Sequence, residues 1–141
     1  MPFEPITDAS YTTSATATGG RQGSVRSEDG VVDLALGKPG SIANPKANPE
    51  TLFAAGYSAC FSSALNSAAR RQGLDTSAST VTAAVTLGST DSGFGLAVEL
   101  VADIPGVDAE KAQELVEEAH ENCPYSKATR GNIAVTIRAG G

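Results

Sequence analysis

The chain is predicted to adopt an α+β fold with antiparallel sheets, and three observations carry the prediction. Runs with the period of two expected of half-buried strands open the sequence. A long uncharged helical stretch fills its middle, and hairpin-spaced strands precede a second helix near the end. The order βββ-α-ββ-α-β speaks against a doubly wound α/β sheet. With 141 residues, no internal repeat and no linker, a single domain over 1–141 is expected.

The elements follow in order. Tyr11 to Thr18 alternates Tyr11, Thr13, Ala15 and Ala17 against Thr12, Ser14, Thr16 and Thr18, a half-buried strand. Gly19-Gly20 offers a turn, Ser24 to Glu28 a second strand, Asp29-Gly30 a hairpin turn, and Val31 to Leu36 a third strand. A loop rich in Gly, Pro and Asn runs from Gly37 to Asn48. Asn48-Pro49-Glu50 then reads as a helix start: Asn as N-cap, Pro at the first helical position, an acid against the positive end of the dipole. The helix should reach Gln72 and stop at Gly73. Small or apolar residues on nearly every side suggest a central helix packed all round. Ala78 to Leu87 and Phe94 to Asp103 read as two more strands, joined by the turn-rich Gly88 to Gly93. Asp108 caps a second helix with an apolar stripe of Ala112, Leu115, Val116, Ala119 and Cys123. Pro124 disfavours helical geometry at the residue before it, so this helix should end near Cys123. Ile133 to Arg138 is the last strand.

Composition narrows the function classes. Apolar residues make up 40% of the chain, charged ones 18% and aromatic ones 5%, so the core should be closely packed from small side chains. The net charge is −6 and no basic patch is evident, which argues against a nucleic-acid partner. Met1 to Ser10 contains acids and prolines and no apolar run, unlike a signal peptide. Thr51 to Ala69 carries no charge, but its many Ala and Ser residues suit a helix buried in protein rather than in lipid. A cytoplasmic location is expected.

The two cysteines, Cys60 and Cys123, fall short of a zinc site even with the single His120, because they lack Cys-x-x-Cys spacing. In a reducing compartment they are either inert buried thiols or a redox pair. Cys60 sits in mid-helix among neutral neighbours, where burial alone would raise its pKa and leave it inert. A reactive Cys60 needs a cation from elsewhere, and Arg21, in Gly19-Gly20-Arg21-Gln22-Gly23, is the candidate. An exposed turn arginine is the plain alternative. Glu50 either complements the helix dipole or orients Arg21. It stands ten residues before Cys60, about 15 Å along one helix axis, so it cannot reach the thiol of its own helix. Either Arg21 spans much of that gap, or Arg21 and Glu50 serve the Cys60 of a second subunit, the favoured arrangement. Cys123 lies where a helix yields to Pro124, a sensible place for a resolving thiol and equally for a core cysteine. His120 reads as a solvated surface residue.

Taken together these residues resemble the Ohr/OsmC family, and the Ohr branch in particular. The matching pieces are Tyr11-Thr12 through Ala17, Gly19 to Gly23, Asn48-Pro49-Glu50-Thr51-Leu52-Phe53-Ala54-Ala55-Gly56-Tyr57-Ser58-Ala59-Cys60-Phe61, and Cys123-Pro124-Tyr125-Ser126. Tyr125 after the second Cys-Pro tilts the assignment to the Ohr branch. The resemblance implies an intertwined homodimer with sheets wrapped around central helices, and a cysteine peroxidase of organic hydroperoxides, fatty acid hydroperoxides included. It implies Cys60 as peroxidatic thiolate, held by Arg21, which Glu50 fixes, and Cys123 as the resolving thiol forming an intrachain disulfide. Dihydrolipoamide or lipoylated proteins are the implied reductants, with no bound cofactor and no metal. Phe53, Phe61, Tyr125 and Ile42 are the expected apolar walls of the substrate site. Three rivals remain: an OsmC-like peroxidase of different substrate preference, a non-catalytic lipid-binding or interaction module on the same fold with both thiols inert, and a thiol regulator that senses peroxide for a partner.

Overall fold

The computed structural model describes residues 3–40 and 43–140, and the chain forms two compact units, Met1–Leu52 and Phe53–Gly141. The class is α+β, as expected. No helix among the described residues is long and apolar enough to cross a membrane.

In the first unit, β1 (Ala15–Thr18), β2 (Ser24–Ser27) and β3 (Asp33–Ala35) form an antiparallel meander in that order. Ala15 faces Ser27, and Val25 faces Leu34. The first strand is shorter than its alternation suggests: its ladder begins at Ala15, with Ser14 joining only through its carbonyl, which accepts from the Glu28 N–H at 3.0 Å. Every residue of β1 and β3 is exposed. The helix α1 (Pro49–Arg71) begins here and continues through the second unit. Its start is built as expected, with the Asn48 Oδ1 accepting from the Thr51 N–H at 2.9 Å.

The second unit holds most of α1, the long hairpin β4 (Thr80–Thr90) and β5 (Gly93–Asp103), the helices α2 (Ala109–Asn122) and α3 (Pro124–Thr129), and β6 (Ala134–Ala139). One face of this sheet is apolar in aligned rows: Val85, Val98, Val135; Ala83, Leu100, Ile137; Val81, Ala102, Ala139. Against it packs a core of Tyr57, Phe61, Leu65, Leu115, Val116 and Ala119, from α1 and α2. Asp108 caps α2 by accepting from the Lys111 N–H at 2.8 Å.

Three features depart from the sequence expectation. β6 pairs with β5 in parallel, not antiparallel, because α2 and α3 form a crossover that brings the chain back in the same direction. α1 is packed on one side rather than all round: Tyr57, Phe61, Leu65 and Ala68 are buried, whereas Ala55, Ala59 and Ser63 are exposed. Uncharged small residues on that stripe make the open side look like the closed one in sequence. Finally, the chain re-enters helix immediately after Cys123. Pro124 occupies the first position of α3, where its missing N–H costs nothing.

Candidate active site

The first unit contributes an ion pair. Arg21 sits in a 3-10 turn, Gly20–Gln22, entered through Gly19 and Gly20, both at positive φ (78° and 62°). Gly23 closes the turn so tightly that a Cβ there would lie 1.8 Å from the Thr18 carbonyl oxygen. This backbone sends Arg21 to Glu50, in the first turn of α1. Arg21 Nη1 donates to Glu50 Oε1 at 2.7 Å and Nη2 to Oε2 at 2.9 Å, a two-pronged fork that fixes the guanidinium plane. The Arg21 hydrogen bond holds the Glu50 carboxyl below its ordinary range, against the opposing effect of desolvation. Glu50 is largely covered at 15% side-chain exposure, but Arg21 remains 51% exposed, so part of its guanidinium is open to a further partner.

The second unit contributes the thiols. Cys60 is partly exposed on α1 and Cys123 is buried, and both are free. Cys123 sits between α2 and α3 with an extended backbone (φ −65°, ψ 123°), the geometry a following proline requires. Its Sγ donates to Cys60 Sγ at 3.5 Å. Burial pushes the Cys60 thiol above its ordinary pKa; the Tyr125 backbone opposes this and Cys123 adds to it. No cation of its own unit is among the groups acting on Cys60. A disulfide needs the sulfurs at about 2.05 Å, so an approach of roughly 1.5 Å would join them.

Around the thiols lies an aromatic cluster. Phe53 meets Tyr57 and Tyr125 edge-on, with centroids 6.1 and 6.2 Å apart, and Tyr57 and Tyr125 are 5.6 Å apart. Tyr125 is 39% exposed and lies directly on Gly56, where a Cβ would stand 2.4 Å from its hydroxyl. Phe61 has no exposed surface and belongs to the core, so its ring faces protein rather than an open pocket. Ile42 lies outside the described residues.

One group of residues was not anticipated. Tyr57 Oη, buried one turn before Cys60, is 2.8 Å from Ser126 Oγ and 3.1 Å from Thr129 Oγ1. His120 Nδ1 is 2.8 Å from the same Ser126 hydroxyl, so His120 is a half-buried network member and not a solvated surface residue. Burial and, next, the Arg130 charge lower its pKa, with Glu121 opposing. The signal available in sequence was Tyr57 itself, a phenol in an otherwise apolar helix face that needs a partner when buried.

The chain has relatives among known proteins and solved structures. The family described as OsmC-like protein matches residues 40–138. The organic hydroperoxide resistance protein of Xanthomonas axonopodis pv. citri is 45% identical over 131 residues, covering 90% of this chain and 92% of that relative. The crystal structure of the organic hydroperoxide resistance protein OhrB of Bacillus subtilis superposes with a TM-score of 0.87 at 46% identity, over 94% of this chain and 100% of that one. An organic hydroperoxide resistance protein from Elizabethkingia anophelis matches with a TM-score of 0.87 at 51% identity, over 96% of this chain and 99% of that one.

Proposed function

The chain belongs to the OsmC/Ohr family, and from that membership and the paired thiols we propose that it is a cysteine peroxidase of organic hydroperoxides. The single observation that carries the reading is the 3.5 Å approach of Cys123 to Cys60 across 63 residues of sequence. Names given to the relatives support the hydroperoxide as oxidant.

In this cycle the Cys60 thiolate attacks the distal oxygen of the hydroperoxide. The O–O bond breaks, Cys60 becomes a sulfenic acid, and the departing alkoxide takes a proton to leave as alcohol. Cys123 then attacks the oxidised sulfur, its proton and the hydroxyl leave as water, and the disulfide forms. A dihydrolipoyl dithiol reduces that disulfide by exchange and is itself oxidised to the cyclic disulfide. The cycle runs in the reducing cytoplasm. Phe53 and Tyr125 give the thiol an apolar flank that favours alkyl and fatty acyl hydroperoxides over hydrogen peroxide.

Cys60 needs a cation to become a thiolate, and the Arg21–Glu50 fork supplies it in this reading. Arg21 of the partner subunit serves Cys60 within a homodimer. The exposed strands β1 and β3 and the uncharged open stripe of α1 support a second copy as the missing cover.

The test is rapid mixing of reduced protein with one equivalent of cumene hydroperoxide, followed by intact mass and thiol titration. Loss of both thiols with the loss of two hydrogens is expected. Two thiols that survive the treatment would overturn the peroxidase reading and leave a binding module on this fold.

A further inference from the structure

Cys123 is held between two short-range anchors, and both are tied to the turn of α1 just before Cys60. His120 anchors the end of α2, and Ser126 and Thr129 anchor α3; Tyr57 joins them through Ser126 and Thr129. The Arg130 guanidinium braces the same junction by donating to the His120 carbonyl. Tyr57 and Ser126 have no exposed surface, and Thr129 retains only 5%.

The protons can be counted. With a neutral imidazole accepting at Nδ1, Ser126 donates to His120 and Tyr57 donates to Ser126. Thr129 donates to Tyr57 or to the Ser126 carbonyl, 3.3 Å away. Every hydroxyl then uses its one donor, and a buried polar network with all members satisfied is rigid and specifies one geometry. Together they tie His120, three residues before Cys123, to Ser126, two residues after Pro124, and so span the Cys123–Pro124 bend.

We propose that the Tyr57–Ser126–His120 network is a positioning device for the resolving step, holding Cys123 at the distance from which it captures oxidised Cys60. Its catalytic consequence rests on the peroxidase reading. Resolution is unimolecular, whereas overoxidation to sulfinic acid consumes a second hydroperoxide and scales with its concentration. The hydroperoxide concentration at which half of Cys60 is lost per turnover is therefore proportional to the resolution rate. A misplacement of about 1 Å costs a preorganised reaction on the order of 10²-fold, so loosening the network lowers that concentration by about 10- to 100-fold.

Two measurements test this on the intact protein. The first equilibrates wild type, Ser126→Ala, Tyr57→Phe, His120→Leu and His120→Asn with glutathione buffers and reads the Cys60–Cys123 disulfide, which needs no hydroperoxide. The effective concentration of the thiol pair should fall about tenfold or more in the first three variants, a potential shift of about 30 mV per tenfold. It should recover in His120→Asn, whose amide can replace Nδ1. The second measurement titrates cumene hydroperoxide and reads sulfinic acid by mass. Its onset should move to lower concentration in the same three variants. If Ser126→Ala does not fold, Tyr57→Phe, which removes one oxygen, decides. Unchanged disulfide equilibrium and unchanged sulfinic onset overturn the positioning role. A wild type that forms the disulfide in glutathione but ignores hydroperoxide refutes the peroxidase reading while leaving the geometric claim to the first measurement.

Discussion

Gly56→Ala isolates the contact that seats α3 on α1. A Cβ at this position would stand 2.4 Å from Tyr125 Oη, 3.0 Å from Cζ and 3.2 Å from Cε2. Carbon atoms in contact prefer about 3.5–4.0 Å, so the rigid ring has to retreat by roughly 1 Å. Overpacking of this kind costs about 1–3 kcal/mol. Opposing it, Ala in a helix interior is about 0.8–1.0 kcal/mol better than Gly. The net expectation is a loss of about 0–2 kcal/mol. With Tyr125→Ala as background the clash is gone, and the same Gly56→Ala change should stabilise by about 1 kcal/mol. The assay is urea unfolding of the four proteins of this cycle at one fixed protein concentration, so that any self-association acts on all four alike. The sign of the Gly56→Ala effect should reverse between backgrounds. A coupling below about 0.5 kcal/mol, the limit of ordinary additivity, would show that Tyr125 is not seated on Gly56.

Other consequences follow from the site. Arg21→Ala should slow the first oxidation of Cys60 by about 10²-fold, the usual cost of losing a preorganised donor, with Glu50→Gln showing a smaller loss; stopped-flow thiol consumption at an unchanged rate would remove the pair from the mechanism. Cys123→Ser should still undergo one oxidation, but mass spectrometry should then find Cys60 carrying two oxygens at hydroperoxide levels that leave wild type as disulfide. The Glu50 carboxyl has a folded pKa below its unfolded value of about 4.3. Its stability contribution is thus present above that pH and lost as pH falls through the lower folded value, so Glu50→Gln should flatten the acid limb of urea midpoint against pH. His120 is also depressed, so the stability tied to its neutral ring is present above about 6.5 and is lost as pH falls through its folded value. His120→Asn should flatten the slope just below neutrality, and an unaltered slope would place His120 outside the network.

Much of the architecture was legible because it rests on local chemistry. Asn48, Pro49 and Asp108 mark helix starts with groups that bond backbone N–H or do without one, and the structure uses them that way. The parallel pairing of β6 was missed, because the expectation of antiparallel sheets rested on the hairpins and did not weigh the helical crossover that returns the chain in the same direction. α3 was harder to see. Pro124 stops α2 and starts the next helix with the same ring, and sequence periodicity cannot separate a stop from a restart over so few residues. The Arg21–Glu50 fork was an expectation from the family resemblance, and local sequence could not distinguish it from an exposed turn arginine. Least legible was the Tyr57–Ser126–His120 network, because its members gain meaning only when α1 and the α2–α3 bend are packed together. His120 falls on the polar side of α2 by helical position; the chain's return through α3 is what covers it.

The packing that brings the thiols together also works against their chemistry. Burial beside Cys123 pushes Cys60 toward the neutral thiol, the form that does not attack a peroxide. Among the described residues of the second unit, no cation is one of the groups acting on Cys60. A guanidinium brought beside a thiolate favours the charged form and so opposes the desolvation that raises the Cys60 thiol. The fork on Glu50 has the features such a group needs: a fixed plane, a charge that never titrates, and a side chain still half open to a new partner. Holding Arg21 on Glu50 also costs the arginine its freedom before substrate arrives rather than during the reaction, which is the preorganisation a transition state rewards. In the proposed peroxidase the two requirements are separate: Cys123 and its buried hydroxyls would serve resolution inside one unit, and Arg21 of a second copy is proposed to supply the activating charge.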